Sequence, residues 1–124
     1  MGYRDAAPQL VSIVVVTTAM SLGNLGNGLA QTATEPRRTD LHIENGRIAG
    51  DMKTIKVQQG EAVELNWSAD RRTTVHLHGY DIEATIIPGQ TKVMAFQARA
   101  TGRFPIESHG GRHVVLLYLE VHPR

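Results

Sequence analysis

The chain has 124 residues with 13 basic and 12 acidic side chains, and its formal net charge of +1 provides no long-range attraction to nucleic acid or anionic lipid. This length fits one globular domain and is too short for two independent hydrophobic cores. The sequence contains no cysteine, which excludes disulfides, thiol nucleophiles, iron–sulfur clusters and thiolate-bound metals.

The first thirty residues differ in kind from the rest. An apolar run over residues 10–22 follows Arg4 and precedes a stretch of small residues, the pattern of a secretory signal peptide. The run of about 13 residues is shorter than the roughly 20 needed to cross a bilayer as a helix, so it argues against an uncleaved anchor. Gly28 and Ala30 favour cleavage after Ala30, with Ala33 as the next site. The alternative is that the assigned start codon lies upstream of the real one, which would then be Met20.

These features predict a signal peptide over residues 1–30, a flexible segment over residues 31–40 and a folded domain over residues 41–124. The mature protein is expected to be periplasmic or otherwise exported, without a membrane span, and to begin at Gln31 or Thr34. N-terminal sequencing of the exported protein checks this expectation. Detection of Met1 on a membrane-bound species would identify an anchor instead.

Apolar and polar residues alternate in short runs after Pro36, and no segment has helical periodicity. Turn signals separate the runs, the strongest being Asn45-Gly46. Strands are predicted near residues 41–44, 55–57, 63–67, 74–78, 82–86, 92–98, 103–108 and 114–121. Seven or eight strands of this kind predict an all-β, antiparallel sandwich. Trp67 and Phe104 are at inward positions and are predicted to be core residues.

The order of these segments resembles that of the cupredoxin-like superfamily. "IKVQQGEAVELNW" is similar to the opening strand pair of a cupredoxin, and "HLHGYD" stands where its upstream histidine ligand falls. "PGQTKVMAFQARATGRFPIESHG" and "LLYLEV" are similar to its later strands. The resemblance covers residues 54–122 and extends to small exported bacterial cupredoxin-domain proteins of the EfeO type. It implies a Greek-key sandwich.

The sequence departs from the blue-copper pattern at the position that decides the chemistry. Where the resemblance implies a cysteine ligand, the chain has Ser108, followed by His109, and the next loop contains no methionine. Serine is a poor ligand for copper at neutral pH. Blue-copper electron transfer is therefore disfavoured.

Two pairs of donor residues are candidates for a different metal site. Residues two apart share a face of a strand, so His76 and His78 project together, and Glu107 and His109 do so by the same rule. In the cupredoxin-like fold these two strands are expected to be neighbours. The nitrogen and oxygen donors suit Cu(II), Zn(II) or Ni(II). The alternative is that these are exposed strand histidines with acidic residues at the rim.

The remaining histidines divide into one candidate and two surface residues. His113 follows Gly110-Gly111 in a loop where a cupredoxin carries site residues, so it is a further candidate ligand. His42 and His122 are predicted to be exposed and uninvolved. Asp81 is expected to accept backbone N–H groups and so fix the corner after the strand.

Two functions are compatible with these residues. The first is an exported metal-binding module, for copper by preference with zinc as a second choice, which buffers the ion or passes it to an exported or membrane protein. The second is a metal-free adaptor or partner-binding sandwich. No enzymatic activity is expected, because the chain has no Ser-His-Asp order and no glycine-rich phosphate loop, and "HLHG" matches multicopper oxidases only as a fragment.

Overall fold

The computed structural model describes residues 33–124, so the predicted signal peptide lies outside the described residues. Over this range the chain forms nine strands and no helix. The strands are β1 (Arg37–Glu44), β2 (Arg47–Ile48), β3 (Thr54–Gln58), β4 (Ala62–Ala69), β5 (Thr73–Leu77), β6 (Ile82–Ile86), β7 (Lys92–Gln97), β8 (Gly102–His109) and β9 (Val114–His122). Within the same range, no helix is long and apolar enough to span a membrane.

The strands form a four-stranded sheet in the order β2-β1-β4-β7 and a five-stranded sheet in the order β3-β9-β8-β5-β6. The predicted all-β sandwich is confirmed. The strand that was not predicted is β2. Its two residues pair antiparallel with β1 after the predicted turn at Asn45 and Gly46. Both turn residues have positive φ, as a two-residue hairpin of this type requires.

The sandwich differs from the predicted antiparallel arrangement at two strand pairs, so both sheets are mixed. β1 pairs parallel with β4, and β3 pairs parallel with β9. A tight turn makes two successive strands antiparallel, but it does not set the direction of strands joined through the other sheet. The chain leaves β1 and β2, passes through β3 in the five-stranded sheet, and returns to the four-stranded sheet as β4, parallel to β1.

The first strand begins at Arg37, so residues 37–40 belong to the sandwich and not to the flexible segment predicted over residues 31–40. Arg37 to Asp40 pair with the first half of β4. Arg38 contacts the Glu64 carboxylate at 2.8 Å, and Asp40 accepts a 2.8 Å hydrogen bond from the Asn66 side chain. The sequence did not predict this half of β1, because apart from Thr39 its side chains are exposed and it lacks the apolar alternation that marks a half-buried strand.

The core lies between the two sheets and consists of the inward positions of their strands. Trp67 is 0% exposed, as predicted for the inward face of β4. Phe104 is half-buried and packs against the edge of the core. The buried residues of the four-stranded sheet include Leu41, Ile43, Val63, Leu65, Trp67 and Met94. Those of the five-stranded sheet include Ile55, Val57, Val75, Leu77, Ile86, Ile106, Leu117, Leu119 and Val121.

Candidate metal centre

The pairing of β5 with β8 brings the two predicted donor pairs together. In the antiparallel register His76 lies opposite Glu107, and Thr74 lies opposite His109. Val75 and Leu77 are buried in the core, so the alternate residues of β5 are on the outer face of the sheet. His78 follows the last residue of β5, and its backbone N–H donates to the carbonyl of Pro105 at 3.1 Å. This bond extends the pairing and places His78 beside the other donors.

Three imidazole rings form the centre of the cluster. The ring centroid of His76 lies 4.3 Å from that of His78 and 5.5 Å from that of His109, and the His78 and His109 centroids are 6.4 Å apart. One ring nitrogen from each residue lies within 4.8 Å of the other two. Nitrogens bound to one tetrahedral zinc at about 2.0–2.1 Å are roughly 3.3 Å apart. The separations of these three nitrogens, at most 4.8 Å, therefore exceed those around a common ion by no more than about 1.5 Å.

The Glu107 carboxylate lies among the imidazoles. Its Oε2 is 3.0 Å from Nε2 of His78 and 3.9 Å from Nδ1 of His113. Glu107, His109 and His113 form a second group of donors within 4.8 Å of one another, and the His113 ring centroid is 4.5 Å from that of His109. All five predicted site residues therefore lie in one cluster. His113 is its most solvent-exposed member, with 69% of its side chain exposed.

Two of the ring nitrogens in this cluster are buried and have no hydrogen-bond partner. Over residues 33–124, the buried side-chain nitrogen or oxygen atoms without a partner are Nδ1 of His76, Nε2 of His109 and Nε1 of Trp67. An unpaired buried polar atom typically destabilises a protein by about 1–3 kcal/mol. A metal ion would satisfy a free imidazole lone pair, and imidazole with carboxylate is a donor set that suits Cu(II), Zn(II) and Ni(II). The residues therefore fit a divalent metal ion.

Asp81 has a different role from the one predicted. Its Oδ1 lies 3.2 Å from Nε2 of His76. Among residues 33–124 no backbone N–H donates to its carboxylate. Gly79 and Asp81 both have positive φ, of 84° and 53°. These angles turn the chain back over the end of β5, so that the side chain of residue 81 reaches residue 76. The sequence marked Asp81 as a corner residue but gave no signal for its contact with His76.

Tyr80 holds this turn in place. Its hydroxyl donates to the carbonyl of Ala100 at 2.8 Å and accepts from the N–H of the same residue at 3.0 Å. Its ring packs against Phe96 and Phe104, with centroids 5.2 and 5.1 Å away. The segment that follows His78 is therefore fixed to the loop before β8.

A cavity of about 220 Å³ lies next to His109, at the end of β8. Arg71, Arg72 and Arg112 contribute to its lining. The backbone N–H of Asn45 donates to the Asp70 carboxylate and lowers the pKa of that carboxyl group, and the Arg71 guanidinium, which contacts the same carboxylate, lowers it further. The cavity opens to solvent beside His109.

His42 and His122 lie outside the cluster. Nδ1 of His42 is 2.8 Å from the Ser68 hydroxyl, on the four-stranded sheet. Nε2 of His122 is 3.4 Å from the Glu120 carboxylate. Both side chains are exposed, as predicted.

Comparison with known proteins gives matches among solved structures only, since no protein-family model and no curated protein matches the chain. A multicopper oxidase, mgLAC, superposes with a TM-score of 0.60 at 21% identity, covering 73% of this chain and 40% of that chain. A copper nitrite reductase from Nitrosomonas europaea superposes with a TM-score of 0.57 at 17% identity, covering 73% of this chain and 42% of that chain. A chain of a heme-copper terminal oxidase dimer superposes with a TM-score of 0.58 at 20% identity, covering 94% of this chain and 79% of that chain.

The chain has a cupredoxin-like fold. At these identities the likeness shows the fold, and the chain spans about 40% of the length of the multicopper oxidase and the nitrite reductase. In this cupredoxin-like sandwich the donor cluster lies on the outer face of the five-stranded sheet, where β5 and β8 pair.

Proposed function

We propose that this chain is an exported cupredoxin-like domain that binds one divalent metal ion, copper by preference and zinc as a second choice. His76, His78 and His109 are the nitrogen ligands. Glu107 is an oxygen ligand or the hydrogen-bond partner that orients His78, and His113 is an additional imidazole at the exposed side. The observation that carries the proposal is the pair of buried, unpaired ring nitrogens of His76 and His109 within a three-histidine group.

The donor set supports copper over zinc. A site with nitrogen and oxygen donors generally has a higher affinity for Cu(II) than for Zn(II). The carboxylate of Glu107 would offset part of the charge of the cation. The absence of cysteine from the sequence removes the thiolate on which a blue-copper site depends. When bound, the ion would supply a Lewis-acidic centre held by these residues.

The exposure of the cluster supports a role in metal handling. His113 is largely exposed, and a cavity opens beside His109, so an ion held here has an exit to solvent or to another protein. A role in buffering the ion, or in passing it to an exported or membrane protein, fits an open site better than one closed within a core. Binding and transfer, and not catalysis, is the activity we propose.

Calorimetric titration of Cu(II) and Zn(II) tests this proposal. Wild-type protein is expected to bind about one ion at pH 7.5, with weak d–d absorption for Cu(II) and no intense blue band. His78→Ala is expected to lower the affinity at least about 100-fold, because even changes to the partners of metal ligands cost about 10–100-fold. At pH 5.5 the affinity should fall, since protons compete with the metal for imidazole nitrogen.

His42→Ala is the matched control, because it removes an imidazole on the four-stranded sheet, away from the cluster. It should leave the affinity unchanged. Equal, weak binding by wild type and both variants would contradict the metal-binding proposal. That result would favour the metal-free partner-binding sandwich.

A further inference from the structure

The two nitrogens of the His76 ring have contrasting surroundings. Nε2 lies 3.2 Å from Oδ1 of Asp81, whose side chain is 99% exposed. Nδ1 is buried and has no hydrogen-bond partner. One edge of the ring is therefore paired with a carboxylate in water, and the other edge is enclosed and unpaired.

This contrast selects one tautomer of the neutral ring. A neutral imidazole has one N–H and one lone pair, and an ionised carboxylate only accepts hydrogen bonds. A proton on Nε2 donates to Asp81. A proton on Nδ1 would place the lone pair of Nε2 against the carboxylate oxygen and leave a buried N–H without an acceptor, which is unfavourable on both counts. These two effects favour the Nε2–H tautomer, whose lone pair is on Nδ1.

The backbone keeps Asp81 in position to do this. Its φ of 53° is uncommon for a residue other than glycine, although aspartate is among those that tolerate it. The preceding residue, Tyr80, is anchored through its hydroxyl to both backbone groups of Ala100. A fully exposed carboxylate contributes little to stability through an ion pair. Strained backbone that is held by its surroundings is typical of functional sites.

We propose that Asp81 is a positioning residue of the metal site, which holds the proton of His76 on Nε2 and so makes Nδ1 the metal-binding nitrogen. This inference rests on the proposed function of the cluster. Metal-binding histidines generally donate their other N–H to a carboxylate, a carbonyl or water, which orients the ring and raises its basicity. Glu107 does not take this role for His76, because Nε2 of His76 pairs with Asp81 and the Glu107 carboxylate contacts His78 and His113.

The test measures the tautomer and the metal affinity separately. Long-range ¹H–¹⁵N NMR spectra of the metal-free full chain at pH 8 report which nitrogen of His76 carries the proton. In wild type we expect Nε2–H. In Asp81→Gly, which keeps the positive φ and removes the acceptor, we expect loss of this preference and a fall in Zn(II) affinity of about 10–100-fold. Asp81→Asn retains an oxygen acceptor and should restore the tautomer and part of the affinity.

Asp40→Asn is the control for loss of a negative charge, because Asp40 contacts Asn66 on the other sheet. It should change neither measurement. A wild-type His76 protonated on Nδ1, or an Asp81→Gly variant with an unchanged tautomer, would overturn the role of Asp81 even if the cluster binds zinc. An Nε2–H tautomer that depends on Asp81 in a wild-type protein that binds no metal would instead overturn the proposed function, and with it the metal-positioning role.

Discussion

Replacement of Trp67 by alanine is expected to lower the free energy of unfolding by about 3–5 kcal/mol. The side chain is fully buried in the second half of β4, where it lies in register with Leu41 of β1 and Lys92 of β7. Its removal leaves a cavity between the two sheets that the neighbouring strands cannot fill without shifting. Because small domains are stable by only about 5–15 kcal/mol, much of the folded population should be lost on mild heating. Urea denaturation followed by far-UV circular dichroism measures the change, since Trp67 is the chain's one tryptophan and its fluorescence is lost with it.

Two further variants separate the loss of volume from other effects. Trp67→Phe keeps most of the apolar volume and breaks no hydrogen bond, because Nε1 has no partner, so it should be clearly less destabilising than Trp67→Ala. Val93→Ala, at a residue 51% exposed on the edge strand β7, should change stability by no more than about 0.5 kcal/mol. A Trp67→Ala protein that melted within a degree or two of wild type would show that the register of β4 is wrong.

Gly79→Ala is expected to destabilise the fold by about 2–5 kcal/mol. The φ of Gly79 is 84°, a conformation that disfavours any side chain, and a β-carbon at this position would overlap the ring of Phe104. The first effect alone is worth about 1–2 kcal/mol, and overpacking adds about 1–3 kcal/mol. Since Gly79 directly follows His78, the shift that relieves the overlap should also weaken metal binding. Thermal unfolding and zinc titration of the same variant measure both effects.

Gly46→Ala is the matched control for the backbone contribution. Gly46 has a similar φ of 77°, but a β-carbon there would have no atom within 4 Å. Gly46→Ala should therefore lower the free energy of unfolding only through the unfavourable backbone conformation, by about 1–2 kcal/mol. Phe104→Leu replaces the ring with a smaller side chain and should reduce the destabilisation caused by Gly79→Ala. A double-mutant cycle would detect this as coupling between the two positions. Equal penalties at Gly46 and Gly79 would mean that Phe104 does not restrict the turn.

The sequence predicted those parts of the fold that depend on local alternation. Val63, Leu65 and Trp67 repeat with the period of a strand, and the turn at Asn45-Gly46 follows from backbone chemistry. The start of β1 was missed, because the side chains before Leu41 are mostly exposed and polar and are held by contacts with residues far along the chain. The two parallel pairs were missed for a related reason. Strand direction across a sandwich is decided by long-range packing, which no local pattern reports.

The candidate site divides in the same way. A two-residue spacing is enough to place His76 with His78, and Glu107 with His109, on one face of each strand. Spacing cannot set the register of β5 against β8, which puts His76 opposite Glu107, and only the resemblance to cupredoxins suggested that these strands are neighbours. The contact of Asp81 with His76 depends on the backbone angles of a single turn, for which the amino-acid types allow several geometries.

The position of the last strand has a consequence for how the chain acquires its structure. β9 lies between β3 and β8, and it is the one neighbour of β3 in its sheet. Ile55 and Val57, near the beginning of the described domain, therefore have no strand partner until Leu119 and Val121 have been synthesised. Contacts between such distant parts of a chain slow folding, because the loop entropy must be lost before the contacts form. The five-stranded sheet consequently cannot be completed until β9 has been synthesised, and the apolar side chains of β3 lack their neighbouring strand until then.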